Sequence, residues 1–210
     1  MGQTFFTSDT HFGHGNIIKY CNRPFLTEQE QEMIAKDDRA RISKESINKM
    51  NSVIIDGINS VVGPDDTLYH LGDFMFVGNN MDEGIKIGQS ILDRIACKDI
   101  IFIFGNHDNK QLLRRLFKRC YDLHEINING IKITLCHYAM VVWNCSHRGA
   151  WQLYGHSHNT IEEMMNGFFG IDRRSMDVGV DNAYRILGEY RPFSFDEIRK
   201  RFSKNEKLSD

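Results

Sequence analysis

The sequence predicts an α/β fold in which helices cover a β-sheet, and three observations carry this. Short β-branched and aromatic runs recur that are too brief for helices. Amphipathic stretches with apolar residues near 3.6-residue spacing separate the first of these runs, which is the alternation of a sheet layered with helices. Each run stops abruptly at a glycine, or directly at a histidine, aspartate or asparagine, as strands do where an open α/β sheet collects ligands at its carboxyl ends.

In order along the chain, Thr4 to Ser8 reads as the first strand and runs into Asp9 and His11. The stretch HFGHGNIIKYCNRPF that follows, rich in glycine and holding a proline, reads as one long loop, and loops of that length at a strand end are commonly functional. Thr27 with Glu30 forms a capping box for a polar helix that fades near Asp37 and Asp38. Ile42, Ile47, Met50, Ile54, Ile58 and Val61 then mark a longer amphipathic helix, which Gly63-Pro64-Asp65-Asp66 stops. Thr67 to Leu71 is the second strand, ending at Gly72 and Asp73. Ile85, Ile91, Leu92 and Ile95 mark a helix leading to Ile100 to Phe104, a strand that ends in Gly105, Asn106, His107 and Asp108.

A short helix is expected over Lys110 to Arg119, with Leu112, Leu113, Leu116 and Phe117 on one side and a basic opposite side that reads as a solvated face. Leu123 to Ile128, the dipeptide Asn129-Gly130 and Ile131 to Cys136 read as a β-hairpin with a primed turn, the second strand running into His137. Trp151 to Tyr154 leads to Gly155, His156 and His158, and Phe168 to Asp172 and Met176 to Val180 read as further strands. A closing helix starts at the box Ser194 to Glu197, and the tail 204–210 is expected to fray. No repeat, low-complexity segment or domain boundary interrupts this pattern, so residues 1–210 are expected to form a single domain.

Net charge of -2 and a pI near 6.5 give no global reason to expect nucleic acid or an anionic membrane as partner. Five cysteines without a CxxC pair read as reduced thiols in a cytoplasmic setting. A first strand beginning near Thr4 leaves no room for a cleavable signal, and no apolar run reaches membrane-spanning length.

Five strand ends rich in imidazole and carboxylate, with one amide and no thiolate, suit borderline divalent ions such as manganese, iron, cobalt, nickel or zinc. The set is too large for one ion, whereas two ions bridged by a carboxylate and a water would use all of it. Such a pair, set against the carboxylates Asp9 and Asp73, keeps surplus positive charge and favours a phosphoryl group.

The blocks DTH, GD, GNHD, a lone histidine after a strand, and GHSH, in that order from Asp9 to His158, resemble the five motif blocks of the calcineurin-like metallophosphoesterase superfamily. SDTHFGHGNII, the RPF at Arg23 to Phe25, VGVD and YRPFSFDEI extend the likeness to small stand-alone bacterial and phage members. The resemblance implies two β-sheets packed face to face with flanking helices. It implies that Asp9, His11 and His158 hold one metal, that Asp73 bridges, and that Asn106, His137 and His156 complete the second site. It also implies that His107 assists the leaving oxygen rather than binding metal. The implied activity is a dinuclear phosphoesterase acting through a metal-bridging hydroxide, with manganese the favoured ion. A phosphodiesterase on a small or nucleotide-like substrate comes first and a phosphomonoesterase second. A non-catalytic scaffold of the same fold is the rival from another class, and a nuclease is less favoured.

Gly72-Asp73 is followed by Phe74, Met75, Phe76 and Val77, so the GDxxDRG of the phosphoprotein phosphatase branch is missing. Another group must then orient His107, and Asp108 is the candidate. His14 and Asn16 are candidates to reach the substrate or else to steady their loop, and Arg148 is a candidate phosphate clamp or a surface ion pair. Arg23 reads as structural, His70 as a hydrogen-bonded core residue, and His124 and His147 as ordinary surface histidines.

Overall fold

The computed structural model describes residues 2–78, 80–169 and 173–206. Nine strands fall into two sheets among the described residues. The first has the order β4-β3-β2-β1-β9, built from β1 (Thr4–Thr7), β2 (Thr67–His70), β3 (Asp99–Ile103), β4 (Arg119–Tyr121) and β9 (Phe193–Ser194). It is parallel except for β9. The second has the order β5-β6-β7-β8, from β5 (Leu123–Ile128), β6 (Ile131–Cys136), β7 (Trp151–Tyr154) and β8 (Ser175–Asp177), parallel except for the predicted hairpin β5–β6.

The apolar strands are apolar throughout because the first sheet is buried on both faces, and the two-residue period of a strand sorts its side chains between two cores. Phe5, Leu68, Phe102 and Phe104 face helices. These are α1 (Gly15–Tyr20), α3 (Lys44–Val61), α4 (Met81–Arg94) and α5 (Lys110–Leu116), which contribute among others Ile18, Met50, Ile54, Ile58, Ile91 and Leu112. Phe6 and Ile103 point the other way, onto Ile133 and Leu135 of β6, Trp151 and Leu153 of β7 and Met176 of β8. The two sheets therefore pack face to face. Ala183 of α7 (Val180–Leu187) and Ile198 and Phe202 of α8 (Phe195–Glu206) join this second core, where Trp151 stacks on Phe195.

Several expectations change. The presumed long loop contains α1, because Ile17 and Ile18 are both buried and a single helical turn brings them onto α3. Helix α5 ends at Leu116, and Arg119 opens β4, a strand hidden by its single-turn distance from a basic helix. The strand expected from Phe168 to Asp172 is not found. Phe168 and Phe169 instead end α6 (Glu162–Phe169), whose first residue is anchored by the Tyr154 hydroxyl and the Asp177 amide, and 170–172 lie outside the described residues. Val180, read as strand, opens α7, with Gly179 as its N-cap. Helix α8 runs to Glu206, and 207–210 lie outside the described residues. No helix among the described residues is long and apolar enough to cross a membrane, and the five cysteines are free thiols.

The predicted capping box is present at α2 (Glu28–Lys36) and reaches further than its own helix. The Glu30 carboxylate accepts from the Thr27 amide (2.9 Å) and hydroxyl (3.1 Å), and also from the Ser43 amide (2.7 Å) and the Ser46 hydroxyl at the start of α3. Burial opposes its charge, but the Ser46 hydroxyl and the two amides prevail and push its pKa down from 4.5 to about 2. A depressed carboxylate stabilises the fold fully above its unfolded value and loses that contribution as pH falls through its folded value. Glu30→Gln should therefore cost about 2 kcal/mol near neutral pH. In urea denaturation the gap from wild type should narrow progressively as pH falls from 4.5 toward 2, whereas a gap independent of pH would remove the ionised cap.

Candidate metal centre

The carboxyl ends of both sheets meet at one seam, which backbone hydrogen bonds hold together. Asp9 N donates to Gly72 O (3.0 Å), Gly155 N to His137 O (3.0 Å), and Val180 N to Ser8 O (3.1 Å). The loops leaving β1, β2, β3, β6 and β7 are thereby stacked side by side. Among the described residues three groups have ligand atoms within 4.8 Å of one another: Asp9 with His11 and His158, Asp73 with His137 and His156, and, behind the first, Cys21 with His158 and Asp181. Asn106 joins the second, its Oδ1 lying 3.0 Å from His137 Nε2.

Asp73, a member of the second group, also reaches toward the first. Its Oδ2 is 3.5 Å from His11 Nε2 and 3.5 Å from His137 Nε2. Two ligands about 2.1 Å from one divalent ion at a tetrahedral angle stand roughly 3.4 Å apart, so both spacings leave room for an ion to be held between the pair. Its Oδ1 is engaged otherwise, accepting the His107 amide at 2.9 Å.

The donor set fits divalent cations on further grounds. His11 Nε2 is buried with no hydrogen-bond partner, and burial pushes the pKa of this ring down to about 2, which favours the neutral form a metal ligand needs. Asp9 and Asp73 are buried carboxylates, and uncompensated buried charge is costly. Burial raises the pKa of Asp9. Burial also works against charge on Asp73, but the His137 hydrogen bond and charge outweigh it and hold this carboxyl well below the ordinary range. Without cations the histidines take the balancing role. Burial alone would depress His137, yet Asp73 and Asp9 bring it up to about 9, and the Asp181 carboxylate likewise brings His158 up to about 11.

The local backbone is committed to this arrangement. Asp9, His11, Asp73, His156 and His158 all lie in the left-handed region, with φ between 45° and 67°. Such residues cost about 1 kcal/mol or more each and persist only where their surroundings dictate them. The glycines of the motif blocks leave room for the carboxylates. A Cβ on Gly105 would meet Asp73 Oδ1 at 2.2 Å, and one on Gly155 would meet Asp9 Oδ2 at 2.5 Å.

Behind the candidate ligands stands a second layer. His137 Nδ1 donates to Leu71 O (2.7 Å) and His158 Nδ1 to Asp181 Oδ2 (2.7 Å), which turns each Nε2 toward its group. Asp181, in the first turn of α7, is gripped by the buried Arg23 through two 2.8 Å bonds, and Arg23 also donates to the carbonyls of Asp9 (2.8 Å) and Thr10 (3.2 Å). Asp177 accepts from Ser157 Oγ (2.8 Å), Asn159 N (3.0 Å) and Gly179 N (2.7 Å), and so fixes the GHSH loop. Neither acid was singled out from sequence. The aspartate of VGVD was the available signal for Asp181, whereas Asp177 sits inside a strand without a motif.

His107 is exposed at the rim, its ring 5.6 Å from that of His11. Asp108 does not orient it, because that carboxylate accepts the backbone amides of Asp73 (2.8 Å), Phe74 (3.0 Å) and Gly105 (2.7 Å) and ties the ends of β2 and β3 together. His14 is half-buried beside His11 at a ring distance of 5.4 Å and stacks on Phe76 at 4.4 Å. Asn16 is exposed on α1 and not joined to the ligand groups. Arg148 is exposed just before the start of β7, while the ligand groups lie beyond its end, roughly 13 Å of strand away. His70 is buried with Nε2 3.0 Å from Thr10 Oγ1, the core residue expected. On the basic side of α5, Lys110 pairs with Asp122, and Lys110 and Arg114 lie over the Phe104 ring.

No family model matches the chain. The uncharacterized protein MJ1445 of Methanocaldococcus jannaschii is 31% identical over 207 residues, covering 98% of this chain and 94% of that one. The Gene 66 protein of Mycobacterium phage L5 is 24% identical over an alignment of 215 residues, covering 89% and 90%. The crystal structure of AQ665 from Aquifex aeolicus, a protein of unknown function, has a TM-score of 0.64 at 25% identity, covering 95% of this chain and 99% of that one.

The second layer makes a direct prediction. Asp181→Asn removes the charge behind His158 while keeping the shape, so manganese affinity measured by equilibrium dialysis should fall about 10- to 100-fold with the far-UV circular dichroism unchanged. An unaltered affinity would separate Asp181 from metal binding.

Proposed function

The chain belongs to the same family as the uncharacterized Methanocaldococcus jannaschii protein MJ1445, and we propose that it is a metal-dependent hydrolase of phosphate esters, working at a centre for two divalent ions. The observation that carries this reading is the single Asp73 oxygen 3.5 Å from a histidine of each ligand group. The order of the motif blocks, which resembles the calcineurin-like metallophosphoesterases, supports it too. Manganese is the first ion to test, with iron, zinc, nickel and cobalt as alternatives for this donor set.

Bound there, two divalent ions supply positive charge for the phosphoryl oxygens and a nucleophilic water at neutral pH. The chain's own residues do the rest. Asp73 and Asp9 would hold the ions together with His11, His137, His156 and His158, of which His137 is aimed by Leu71 O and His158 by Asp181. His107, near the cluster but held to it only through its amide, is placed to donate a ring proton to the departing oxygen.

A diester monoanion suits the site better than a monoester dianion. The guanidinium built into the cluster, Arg23, is spent on Asp181 and two carbonyls, and Arg148 is remote. The presence of His107 and every ligand of both groups counts against a scaffold.

The test gives the manganese-loaded protein two diesters differing only in leaving group, one releasing a nitrophenolate and one an alkoxide. His107→Ala should lose about 10² to 10⁴ in turnover on the alkoxide ester and much less on the nitrophenyl ester, which departs without a proton. Equal losses would remove the acid role, and a wild-type protein inert on phosphate esters of every class would remove the proposal.

A further inference from the structure

Beside His107 the surface opens into a cavity of about 230 Å³ that the metal groups do not use. Its walls are Met75, Phe76 and Val77 from the chain after β2, and Leu112 and Leu113 from α5, with His107 at the edge shared with the ligand groups. Phe76 is 52% exposed at this position, although one face of its ring already lies flat on His14 at 4.4 Å and 18°. An aromatic ring held rigid on one side and bare on the other, at the mouth of a pocket, is a stacking surface.

The chemistry of the walls selects the guest. Besides His107, the one ionisable lining residue is Asp108, an acid whose oxygens are committed to three backbone amides. Among the described residues no lysine or arginine lines the cavity, and Asn109 adds a polar group to its wall. The lining therefore offers no cationic side chain to a second phosphate, and it offers the Phe76 ring, within mixed polar and apolar walls, to an uncharged ring. The volume lies below the range of about 300 to 1,000 Å³ for drug-sized ligands, which suits one ring system and not a peptide or an oligonucleotide.

Resting on the reading of the site as a phosphoesterase, we propose that this cavity receives the organic part of the substrate on the side where the leaving oxygen departs, and that this part is a planar, uncharged ring of nucleobase type stacked on Phe76. Placement beside His107 follows, because the group that takes the proton and the group in the cavity are then the same. Phe76 is a specificity-determining residue and takes no part in bond breaking.

The test is equilibrium binding of adenosine 5′-monophosphate and ribose 5-phosphate, which carry the same phosphate and sugar and differ in the ring, to the manganese-loaded protein. The nucleotide should bind roughly tenfold tighter or more, in the range of 5- to 150-fold that base stacking on an aromatic side chain supplies. Phe76→Ser should abolish most of the difference. Phe76→Trp should keep it and add a tryptophan emission that adenosine quenches with or without manganese. Equal affinities in wild type, or a preference that survives Phe76→Ser, would overturn the inference. Neither result depends on turnover, so a protein that binds the ring yet hydrolyses no ester would fail the proposed function and not the pocket.

Discussion

The carboxylate of Asp73 is the interaction on which the rest of the site depends. It leaves β2 of the first sheet and faces His11 from β1 of the same sheet and His137 from β6 of the other, 3.5 Å from each. A buried anion at the seam between two sheets is stable only if cationic charge comes to it from both sides. In the protein alone, His137 supplies that charge from one side only, because burial pushes the pKa of His11 down; divalent ions would supply it from both with the ring nitrogens neutral. The same residue that can join two ions thus also joins the two halves of the sandwich.

Much of the surrounding structure keeps that seam in shape. Asp108 collects three amides so that β2 and β3 end side by side, and Arg23 spans Asp181, Asp9 and Thr10. Five candidate ligands adopt left-handed backbone that their residue types tolerate but do not prefer. Such strain is offset by these buried bonds, and it holds the donors near their places before any ion arrives. Preorganisation of this kind is what a centre meant to stabilise developing charge requires.

The sequence made the candidate ligands legible because each lies directly after an apolar strand, where period and punctuation both announce it. His156 and His158 after Trp151–Tyr154, and Asn106 after Asp99–Ile103, stand where that grammar places them. The hairpin around Asn129-Gly130 was legible for the same local reason. Face-to-face packing was available only through family resemblance, since the split of Phe5 from Phe6 between two cores is a tertiary fact. What escaped were short elements with little pattern of their own, such as α1, β4, α7 and the strand misread in α6. The partners of ligands escaped too, because Asp177 and Asp181 act through contacts many residues away. Nearness of Arg148 to His137 and His156 in the chain says nothing about which end of β7 it occupies.

The central claim, one carboxylate shared by two ions, is tested most directly by metal content. Wild type and Asp73→Asn, each reconstituted with manganese and freed of excess ion, are compared by elemental analysis across a titration. A shared carboxylate predicts saturation at two ions per chain in wild type and weakened binding of both in the variant. Saturation at one ion, or an Asp73→Asn protein that keeps two with unchanged affinity, would contradict it.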